Sequence, residues 1–67
     1  MTADEIDQMN RARASLARQR HALARRIASS EVAAPSAAED LTRILMAIEA
    51  VDRALADAGR PYMRPES

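Results

Sequence analysis

Arginine offers the most chemistry in this chain, and its spacing is regular. Arg13 and Arg20 lie seven residues apart, as do Arg11, Arg18 and Arg25. All ten cationic side chains are arginine and none is lysine. A guanidinium is a planar fork of donors that grips a carboxylate or a phosphate with two parallel hydrogen bonds. Two of them one heptad apart could hold an anion between helices. They could equally pair with the acids of a neighbouring element, and Glu49 and Asp52 supply a carboxylate pair three residues apart. The simplest reading lets Arg13 and Arg20 lay their stems over apolar neighbours and pair with Glu49 or Asp52. In a helical dimer the same arginines would specify register, as polar residues at seam positions do.

Arg11, Arg18 and Arg25, with His21 beside them, form a second row, on the helix face opposite Leu16 and Leu23. Such a row is either a solvated face or a patch that docks on an acidic protein or on nucleic acid. Nucleic acid is the less favoured partner. Net charge is zero, and lysines, aromatic stacking platforms and glycine-rich loops are missing. No metal or cofactor is expected. His21 is the only histidine, there is no cysteine, and no Glu-x-x-His spacing occurs. No Ser, His and Asp arrangement or phosphate-binding glycine loop is present, so no enzymatic activity is expected.

The elements that must carry these residues are helices. Thr2-Ala3-Asp4-Glu5 has the form of a capping box. The following stretch runs to Ser30 without Gly or Pro, which predicts a first helix over about 3–30. Pro35 disfavours helix at Ala34. Ser36-Ala37-Ala38-Glu39 has the form of a second capping box, opening a second helix over about 37–58. Gly59 is placed as its left-handed terminator, with Pro61 beyond it. Residues 1–60 thus read as one helical hairpin, and 61–67 as a flexible tail.

The apolar spacing fits this reading. Leu41, Ile48 and Leu55 recur every seven residues, Ile44 and Val51 fill the intervening places, and Leu45 widens the stripe. On the first helix Met9, Leu16 and Leu23 form the matching row, and Ile6 and Ile27 flank Arg13 and Arg20 in the next. These eleven residues are the expected core. A short connection implies antiparallel packing, with facing residue numbers adding to about 67. The helices are also complementary in charge. The first has six Arg and no acid between Gln8 and Ser30, and the second has five acids and two Arg between Ala37 and Ala58.

The apolar supply is thin. Half of the hydrophobic residues are alanine, with eleven Ile, Leu and Val, no Phe and no Trp. A 67-residue chain with this core and no disulfide sits at the small end of what folds alone. Self-association or a helical partner is the expected remedy, most simply two hairpins paired into a four-helix bundle. No apolar run approaches a membrane span and no basic start leads into an apolar stretch, so no membrane is expected and the cytoplasm is the default compartment. The Ala- and Arg-rich, lysine-free usage suggests a bacterial source with a GC-rich genome.

The stretch Ile6-Asp7-Gln8-Met9-Asn10 through Leu16, Arg20, Leu23-Ala24 and Ile27 resembles the first long helix of the all-helical chorismate mutases. The resemblance implies an anion-binding arginine at Arg20. The family's other arginine falls on Ala3 and its lysine on Glu31, so what it implies here is an anion-binding helix pair without catalysis. In size and shape the hairpin also resembles the Rop kind of RNA-binding helical dimer. The function expected from the residues themselves is a small, non-enzymatic interaction or regulatory module acting through its helix surfaces.

Overall fold

The computed structural model describes residues 1–60. Two helices, α1 (Ala3–Ala28) and α2 (Pro35–Asp57), pack against each other as a hairpin. The tail expected over 61–67 lies outside the described residues.

Each helix end follows from local chemistry. Thr2 caps α1: the Glu5 amide donates to Thr2 Oγ1 at 3.2 Å, and the Thr2 amide donates to Glu5 Oε1 at 3.0 Å. Two otherwise unpaired donors are satisfied reciprocally. At the other end α1 stops at Ala28, two residues short of the expected Ser30. The hydroxyls of Ser29 and Ser30 both donate to the Arg26 carbonyl, at 2.9 and 3.1 Å. Serine there competes for carbonyls that the next helical turn would have used.

The start of α2 corrects the sequence reading. Ser36 and Glu39 form no capping box; they lie inside the helix, which opens two residues earlier with Ala34 as its cap and Pro35 in the first turn. Proline has no N–H to leave unpaired at that position, and its ring presets the helical φ. That advantage outweighs the serine cap. The Ala37 and Ala38 amides both donate to the Ala34 carbonyl. The C-terminus closes on Gly59, whose φ of 72° is left-handed. Its amide donates to the Ala56 carbonyl and the Arg60 amide to the Leu55 carbonyl, the paired bonds of a Schellman closure.

The packing is one layer deep. The molecule measures 44 × 25 × 14 Å, and its thinnest dimension is little more than one helix diameter. Among the described residues only Ile48 and Leu55 are buried, at 5% and 0% exposure. Ile6, Met9, Leu16, Leu23, Ile27, Leu41, Ile44 and Val51 are half-buried. Leu45 departs from the expected core: it is 46% exposed, because it sits at the edge of the α2 stripe where no third element covers it.

The cap makes a pH-dependent prediction. Hydrogen bonds from Thr2, first its backbone amide and then its hydroxyl, hold the Glu5 carboxyl below the ordinary carboxylate range. The lowered value means the cap is complete above the ordinary range and is lost as pH falls through the value it has in the helix. An NMR titration of Glu5 should give a midpoint below that of free glutamate, moved part of the way back by Thr2→Ala. An unshifted wild-type midpoint contradicts the cap.

Candidate functional site

Among the described residues one ion pair joins the two helices, and it is built in the seam. Arg13 Nε donates to Asp52 Oδ1 at 3.0 Å, and Nη2 donates to Oδ2 at 3.2 Å. The Arg13 side chain is 17% exposed and Asp52 is 41% exposed. The stem of Arg13 therefore serves as seam packing and its fork holds α2. Asp52 is the anion that Arg13 grips.

The other two residues expected to join this cluster, Glu49 and Arg20, are not brought into it. Glu49 points along its own helix to Arg53, at 3.5 Å on an exposed surface. Arg20 is half-buried and has no ion pair among the described residues. The expected row of Arg11, Arg18, Arg25 and His21 is exposed throughout. Arg11 is engaged by Asp7 one turn earlier, at 3.0 Å, and the remaining three have no ion pair among the described residues. Exposed pairs of this kind contribute about 0–1 kcal/mol each and are screened by salt.

Two features escaped the sequence reading. The first is Asn10, whose Oδ1 is shielded from solvent and has no hydrogen-bond partner among the described residues. An orphaned acceptor costs roughly 1–3 kcal/mol. The signal was available, since Asn10 lies four residues after Ile6 and three before Arg13 and so borders the seam. The second is an open groove of about 470 Å³ toward the loop end of the hairpin. Leu23, Ile44 and Ala22 give it an apolar floor, and Gln19, Arg26, Asp40 and Arg43 form its rim. The Arg43–Asp40 pair on that rim is loose, at 3.8 Å, and Arg26 has no ion pair among the described residues. Arg26 lies outside both heptad rows of arginines, so spacing alone did not single it out.

Among the described residues no group of three or more His, Asp or Glu is placed to hold a metal ion. No described helix is long and apolar enough to cross a membrane. No protein family, curated protein or solved structure matches the chain. The likeness of α1 to the chorismate mutases thus rests on the quoted residues alone.

A double-mutant cycle on Arg13→Ala and Asp52→Ala measures what the pair contributes. Asp52 is partly open to water, so the expected coupling is about 1 kcal/mol, in the upper part of the range for exposed pairs. Urea melts of the four proteins read it. A coupling of zero would mean that the pair does not help hold the helices together.

Proposed function

We propose that this chain is a small, non-enzymatic protein-interaction or regulatory module, and that its hairpin pairs with a second copy to form a four-helix bundle. The observation that carries this reading is the depth of the packing. Stable domains bury their apolar faces between two layers, and here a single layer 14 Å thick leaves eight of the expected core residues half-buried and Leu45 exposed. A second layer laid against one face would deepen the burial of the half-buried residues that open toward it. It would also supply the stability that a lone seam of alanine and a few aliphatic residues lacks.

The binding of nucleic acid by the arginine row has less support, because Asp7 already engages Arg11 and net charge is zero. A small-anion site between Arg13 and Arg20 has less still, because Asp52 fills the fork of Arg13.

Sedimentation equilibrium across a concentration series tests the proposal. The expected mass is twice 7.3 kDa. Ile48→Asp would place a charge at the best-buried part of the seam and should abolish both assembly and helicity. Arg18→Gln, on the exposed row, should leave stability within roughly 0.5 kcal/mol. A well-folded monomer at every concentration would refute the bundle.

A further inference from the structure

The two faces of the hairpin differ in charge, and that difference selects the one a partner can cover. The groove lies on one face. The α1 rows that carry its Gln19 and Ala22 continue one heptad earlier as Ala12 and Ser15, and the α2 row that carries Asp40 continues as Ala47 and Ala54. Below the groove its rows run through small residues, several already half-buried, and reach charge again only at Glu5 and Asp57 toward the far end of the hairpin. The opposite face presents Leu45 together with Glu49 and Asp52, and Arg20 lies beside them without an ion pair among the described residues. A partner seated there would desolvate these charges. Of these only Arg20 lacks an ion pair among the described residues, and leaving that charge buried and unpaired would be costly.

At the loop end the groove rim carries Arg26 and Arg43 against Asp40, and Arg43 holds Asp40 only loosely, at 3.8 Å. Arg26 on α1 and Asp40 on α2 line the same groove, so they lie at one height along the hairpin. A twofold axis parallel to the helices would lay α1 of one copy over α2 of the other without changing that height. Arg26 of each copy would then meet Asp40 of its partner. The same arrangement sets the acid-free stretch of one α1 over the acid-bearing α2 of the other. An axis across the helices would place α1 on α1 and leave both rims unmatched. A layer 44 × 25 Å across is large enough to supply the roughly 800 Å² per partner that stable complexes bury.

We infer that a second copy of this chain covers the groove-bearing face, with α1 of each copy over α2 of the other and Arg26 of one facing Asp40 of the other. This rests on the dimer proposed above and names its surface and register.

Charge reversal tests it. Sedimentation equilibrium should show Arg26→Asp and Asp40→Arg each weakening the dimer by about tenfold or more, and the double variant restoring it. Ala47→Glu should dissociate the dimer and Leu45→Glu should not. Circular dichroism of each variant at low concentration separates lost association from lost helicity. If single reversals leave the dissociation constant unchanged, or if Leu45→Glu dissociates the dimer and Ala47→Glu does not, the inferred face is wrong and the proposed dimer stands. A wild-type chain that is monomeric at every concentration overturns both.

Discussion

Two helices laid side by side can shield only one stripe of each other. That geometric limit governs the rest of this structure. A side chain in the centre of the contact, such as Ile48 or Leu55, is closed off by the facing helix and by its own neighbours along the stripe. One position to either side, the side chain opens to water above or below the layer. Leu45 marks that boundary on α2. The apolar sequence pattern is thus broader than the burial that one hairpin can give it. The mismatch between pattern and burial is the physical content of the proposal that another layer is present in solution.

Polar groups take up what the apolar residues leave. Arg13 occupies a seam position that Ile6 and Ile27 occupy at the helix ends. It is accommodated because Asp52 meets it with two well-formed hydrogen bonds. A bidentate pair is more demanding of geometry than an aliphatic contact, so it fixes the sliding and rotation of α1 on α2 more sharply than Leu or Ala could. Asn10, three residues away, shows the opposite case: a polar group at the border of the seam without a partner among the described residues. The two together place polar groups in the outer half of the seam.

Much of the fold was legible because helix ends and helix faces are local properties. The box at Thr2 and Glu5, the left-handed Gly59 and the heptads of Leu and Ile each follow from a few neighbouring residues. The start of α2 was misread because two local signals competed, and Pro35 prevailed over Ser36. The candidate site was less legible. Whether Arg13 meets Glu49 or Asp52 depends on relative rotation of the helices, which spacing does not fix. Glu49 turned to Arg53 on its own helix. The groove is lined by residues of both helices, Arg26 from one and Asp40 from the other, and no single stretch of sequence carries that information.

The central claim is that the hairpin is stabilised by a second copy, and thermal unfolding monitored by circular dichroism tests it most directly. When folding and association are coupled, mass action makes the melting temperature depend on protein concentration. The midpoint is expected to rise steadily as concentration is raised over about a hundredfold range, with the same helical signal lost at each concentration. A midpoint that stays fixed across that range, with full helicity below it, would show that the seam between α1 and α2 is sufficient by itself and would contradict the account.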